Sequence, residues 1–76
     1  MNYAVAYKIL ERSFERQAYE ENKKQTIEYC QWIKRWMDDH IEIAIIAIDE
    51  LLKVEKQLHD EFSMDWDEID ELIANA

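Results

Sequence analysis

Few side chains in this sequence stand at spacings that could do chemistry. Glu55 lies four residues before His59. On a helix that spacing puts a carboxylate and an imidazole one turn apart on one face, where they can share a hydrogen bond or ligate a metal. Two ligands do not complete a site. No Glu-x-x-His or His-x-x-x-His pair is present to finish a di-metal bundle. The expectation is a packed Glu55–His59 pair that is sensitive to pH, with no metal and no cofactor. If buried, Glu55 has a raised pKa unless it is paired.

The other candidates are weaker. Cys30 as a nucleophile needs an adjacent base, and the sequence supplies none. A small buried thiol is expected. Tyr29, Trp32 and Trp36, with Lys34 and Arg35, are the residue types of a base-stacking surface. Their helical spacing suits a core stripe better. The chain has no glycine, so it has no Gly-rich phosphate loop. No catalytic residue and no enzymatic activity are expected.

The acidic residues are more informative. Asp60, Glu61, Asp65, Asp67, Glu68, Asp70 and Glu71 occur within twelve positions without one base. On a short helix, Asp67, Glu68, Asp70 and Glu71 cover the face opposite Trp66, Ile69 and Ile73. Such a face solubilises. It can also act as a rigid array of carboxylates that substitutes for phosphates on a basic partner. The net charge of −9 is uneven. Residues 1–37 hold seven Lys/Arg and five Asp/Glu, giving +2; residues 38–76 hold two and thirteen, giving −11. This opposes direct nucleic-acid binding and binding to anionic membranes.

These groups must be positioned by a 76-residue chain with no glycine and no proline. Tight turns are therefore scarce and long helices are expected. A lone Cys excludes an internal disulfide and fits a reducing compartment. The start, Met1-Asn2-Tyr3-Ala4, lacks the pattern of a signal peptide, and a cytoplasmic location is expected (the host cytoplasm if phage-encoded). A domain this small is marginal alone, so a homodimer or docking on a partner is expected to reinforce it.

Along the chain, Asn2 suits an N-cap, and Tyr3, Tyr7, Leu10 and Phe14 form a narrow stripe fit to pack on one neighbour. Residues 20–26 contain nothing apolar. Asn22 as a C-cap and Thr26 as an N-cap would give a bend or break there. The stripe of Tyr29, Trp32, Ile33 and Trp36 also differs from the first by roughly 80° at 100° per residue. Asp39 and Glu42 read as a capping box after a turn at 37–40. Helix 40–62 then carries a β-branched apolar run and an apolar arc about twice the width an amphipathic helix needs. Ile46 falls alone in its polar sector. Asp65 caps the last helix, Glu68 reaches back to it, and Met64 staples to Ile69.

The expected fold is all-α: an antiparallel helical hairpin or bundle of three to four helices, at about 3–21, 26–37, 40–62 and 66–75, the first two alternatively one long bent helix. The expected function is that of a non-enzymatic, acidic, protein-binding inhibitor or adaptor. By composition it suits a phage or mobile-element protein that blocks a host nuclease or defence complex as a DNA mimic. The alternative is an assembly module whose homo-oligomerisation is the function. Ile45, Ile46, Leu52, Trp32 and Trp36 are the expected partner or dimer contacts. The partner would be a larger protein with a basic or apolar site.

Overall fold

The computed structural model describes residues 2–76. Three α-helices follow in order: α1, Tyr3–Asp39; α2, Ala44–Asp60; and α3, Trp66–Ala74, with a short 3-10 turn, Ile41–Ile43, before α2. No strand occurs among the described residues. The all-α expectation holds, with three helices. No helix among the described residues is long and apolar enough to cross a membrane.

α1 corrects the expected break. It runs without interruption through residues 20–26. Thr26 caps nothing; its hydroxyl donates to the Asn22 carbonyl at 2.7 Å, a bond inside the helix. Gln25 donates to Glu21 one turn back. These side chains satisfy local groups without ending the helix. Nor is α1 sharply bent. Its 37 residues at 1.5 Å each span about 55 Å, close to the 60 Å long axis of the molecule. Asn2 is the N-cap, its side chain accepting from the Ala4 N–H at 2.9 Å.

The turn after α1 is tighter than expected. His40 alone separates α1 from the 3-10 turn. The capping box fails because Asp39 is the last residue of α1 and α2 starts at Ala44 without a side-chain cap. α2 folds back antiparallel along the C-terminal half of α1. Its buried residues, Ala47, Leu51, Val54 and Leu58, recur at four, three and four, the period of one helix face. They meet Cys30 and Ile33 of α1.

Ser63 reverses the chain after α2 at φ 54°, a left-handed conformation taken here without glycine. The Met64 N–H then donates to the Leu58 carbonyl. Asp65 is the N-cap of α3 by position, but its side chain makes no capping bond and Glu68 does not reach back to it. Met64 and Ile69 are both buried in the core, as the staple requires. Phe62, Met64 and Ile69 close the core at the end remote from the hairpin turn. Leu72 and Ile73 pack against it partly exposed.

All the packing lies along one half of α1. From Tyr7 to Asn22 every residue is exposed. Residues 3–18 form an arm of about 24 Å at 1.5 Å per residue that α2 and α3 do not cover.

Candidate functional site

The Glu55–His59 pair is not formed. His59 turns its Nδ1 to the Met64 carbonyl at 2.8 Å. The ring stacks on Trp66 with centroids 4.3 Å apart. His59 therefore joins α2 to the start of α3. Glu55 is left part-buried beside Cys30 and Asp70; burial first, then the charge of Asp70, raises its pKa. Cys30 is buried at 1% exposure, and burial, helped by the Glu55 charge, pushes its thiol up to about 11. At neutral pH it is an uncharged packing residue. No group of three or more His, Cys, Asp or Glu residues that could hold a metal occurs among the described residues.

The expected aromatic core stripe is instead on the outside. Tyr29, Trp32 and Trp36 are about half exposed. They stack in series along α1, Tyr29 on Trp32 at 6.2 Å and Trp32 on Trp36 at 5.8 Å, and His40 adds a tilted contact to Trp36 at 4.8 Å. Of that stripe only Ile33 turns inward. The Tyr29 hydroxyl meets Glu50 of α2 at 3.1 Å, and that bond is the main cause of the phenol's raised pKa. Between this ladder and α2 lies an apolar cleft of about 180 Å³, whose far wall includes Ile43 of the 3-10 turn and Ile46 and Glu50 of α2. Ile46 thus stands in the polar sector because it borders the Trp32–Trp36 face.

The expected contact residues therefore divide between two flanks of α2. Ile46, with Trp32 and Trp36, lies on one. Ile45 and Leu52 lie on the other, with Ile41 and Ile48 at spacings of four, three and four. Ile41, Ile45 and Leu52 are 82%, 86% and 59% exposed. At about 100° per residue this strip and Ile46 flank the buried face from opposite sides. Glu55 and His59 continue the strip by three and four residues, and Trp66, about half exposed, closes its end. The wide apolar arc of α2 is thus part core, at Ala47, Leu51, Val54 and Leu58, and part uncovered flank.

The expected acidic residues Asp60, Glu61, Asp65, Asp67, Glu68, Asp70 and Glu71 are all exposed. They do not form one row. Asp70 faces Glu55, whereas Glu68 and Glu71 line a shallow groove with Lys23. Asp67 and Glu68 sit in the first turn of α3, where the helix dipole favours them. Asp60 and Glu61 end α2, where it opposes them.

A third uncovered surface is the arm. Tyr3, Tyr7, Leu10 and Phe14 are 55–92% exposed. Their helical spacing was legible; that α2 and α3 stop short of them was not. Compared with protein-family models, curated proteins and solved structures, the chain matches none.

Proposed function

We propose that the chain is a non-enzymatic protein-binding inhibitor or adaptor. It docks on a larger protein through the strip Ile41, Ile45, Ile48 and Leu52, with acidic residues as the rim. The carrying observation is that strip: Ile45, Ile48 and Leu52 in line on α2, with Ile41 in the 3-10 turn before them, three of the four more than half exposed. Large contiguous apolar patches on small proteins mark interaction sites. The strip is bordered by carboxylates, Glu42 and Asp49 on its own segment and Asp67 and Asp70 on α3, so the matching site is apolar with Lys or Arg around it. Asp60 and Glu61 stay at the end of α2 against its dipole, which costs about 0.3–1 kcal/mol each. Charge kept where folding disfavours it supports a role outside folding. The strongest chemical candidates are already engaged in packing, His59 by Met64 and Trp66 and Cys30 by burial.

The inhibitor version has the carboxylates stand in for phosphates on a host nuclease or defence complex, and it rests on the acidic residues alone. Their division between two sides of α3 fits a rim better than a phosphate-like row. The test is affinity capture with Ile45→Ser/Leu52→Ser and with charge-reversed Asp67, Glu68, Asp70 and Glu71. Loss of one discrete partner in the first variant, and salt-dependent weakening in the second, is expected. Loss only in the charge variant favours the mimic. An unchanged partner set in both refutes the proposal.

The alternative, an assembly module, is favoured by a different surface, the exposed face of α1.

A further inference from the structure

We infer that α1 pairs antiparallel along its whole length with α1 of a second copy, the arm of each chain covering the aromatic ladder of the other. This does not depend on the strip of α2, which stays free on the far flank.

Tyr3, Phe14, Gln25 and Trp36 are spaced by eleven residues; so are Tyr7, Ala18 and Tyr29, and Leu10, Glu21 and Trp32. An eleven-residue repeat has about 3.67 residues per turn, so its face drifts only about 20° per repeat on an ideal helix and suits a gentle right-handed winding. With Ile33 assigned to the core, the arm stripe and the ladder lie on that one face. The positions 3, 7, 10, 14, 18, 21, 25, 29, 32 and 36 have the gaps 4-3-4-4-3-4-4-3-4, a series identical when read backwards. A two-fold interface requires such self-complementarity. Set antiparallel, Tyr3 faces Trp36 of the second copy, Tyr7 faces Trp32, Leu10 faces Tyr29 and Phe14 faces Gln25.

The rest of the structure accommodates this. The arm, about 24 Å long, matches the length of α1 from Glu21 to Trp36 that it would cover, and the two hairpin bodies fall on opposite sides of the dyad, each reaching as far as Tyr19, on which Phe62 packs. Charges agree at the edge. Because Tyr29 is level with Glu50 of α2, the register brings Lys8 within a turn of Asp49 and Glu50 of the second copy, and Glu11 within a turn of Lys53. Area also agrees. At ~200 Å² per fully exposed aromatic side chain, the exposures of the stripe and ladder amount to about 800 Å² per copy. Covering both removes about 1,600 Å², the size of a standard stable interface. Finally, a free arm of this length is a marginal helix in water, and a second copy supplies the packing that α2 and α3 do not.

The full chain is tested by sedimentation and by electron–electron distance measurement between nitroxides. Buried Cys30 stays unlabelled while Ser13→Cys and Arg35→Cys, both on the exposed flank, carry the probes. The register predicts a dimer of twice 9.3 kDa, with separations of about 20 Å at position 13 and about 46 Å at position 35 from 1.5 Å per residue. Tyr7→Glu, on the arm and outside the core, weakens the dimer by at least about 100-fold with the helical signal of the body retained; Glu21→Leu tightens it. Equal short distances at both positions mean parallel pairing, and about 80 Å at position 35 means arms alone pair; either overturns the register. A monomer at 100-fold above the micromolar range overturns the dimer itself. Ile45→Ser/Leu52→Ser leaves the dimer intact, so failure here and failure of the strip are distinguishable.

Discussion

Replacing Ile69 by alanine separates what holds this fold from what it displays. Ile69 is fully buried and is the one core residue contributed by α3. Ile69→Ala removes three carbons, at about 0.8 kcal/mol each by transfer. The space left adds a cavity cost, and the measured range for such changes is about 2–5 kcal/mol. α3 has nine residues, too few to hold a helix unaided, so its docking depends on this contact and on Trp66 against His59. A loss of about 3 kcal/mol lowers Tm by roughly 12–24 °C for a domain of this size. Domains this small have only about 3–5 kcal/mol to lose, so helicity should fall even at 25 °C. The control is Ile45→Ala, which removes the same carbons from a side chain 86% exposed and should change stability by less than about 0.5 kcal/mol. Circular dichroism gives Tm for both. Trp66 emission should shift to the red in Ile69→Ala alone. Equal Tm values for the two variants would refute the assignment of Ile69 as the clasp of α3.

Other outcomes follow from the same packing. Glu55→Gln should raise Tm at neutral pH. Its folded pKa is raised above the ordinary 4.5 by burial and by Asp70, so its favourable contribution is complete below pH 4.5 and is lost as pH rises through the folded value; a gain independent of pH would contradict this. His59→Ala removes the bond to Met64 and the stack on Trp66, and should cost about 1–2.5 kcal/mol with a change in Trp66 emission. Cys30 should resist a thiol reagent at pH 8 in the native state and react fast in urea; native labelling at the unfolded rate would remove it from the core. Ser63→Gly should stabilise by up to about 1 kcal/mol by relieving the left-handed conformation, read as a higher urea midpoint.

The sequence carried the helical class, the turn after residue 37, the start of the last helix at Trp66, and the burial of Cys30. Each rests on local chemistry: absent glycine and proline, an N-capping Asn2, Asp65 at the N-cap position of α3, and apolar spacing. The continuity of α1 was legible only as the alternative to a break. A polar run reads as a loop when the neighbour that would bury it is absent, yet residues 20–26 are polar because they are helical and largely exposed. Counting Ile33 with Tyr29, Trp32 and Trp36 mixed two faces and made the stripes look out of phase. Periodicity also cannot tell a stripe buried within the chain from one uncovered by it, so the helical spacing of Tyr29, Trp32 and Trp36 suits a core stripe that α2 and α3 leave half exposed. Glu55 and His59 were spaced to pair, but the Met64 carbonyl, brought near by the reversal at Ser63, competes for the imidazole. Separation of Ile46 from Ile45 and Leu52 needed the position of α1, which no local pattern in α2 specifies.

The most direct test of the account places a photo-crosslinking residue at position 45, 48 or 52 in the intact chain inside its native cell, with position 57, about 120–180° round the helix, as a control off the strip. One discrete adduct from the three strip positions is expected, with a mass other than twice the chain, and no such adduct from position 57. No adduct from the strip, or equal adducts from all four positions, would contradict it.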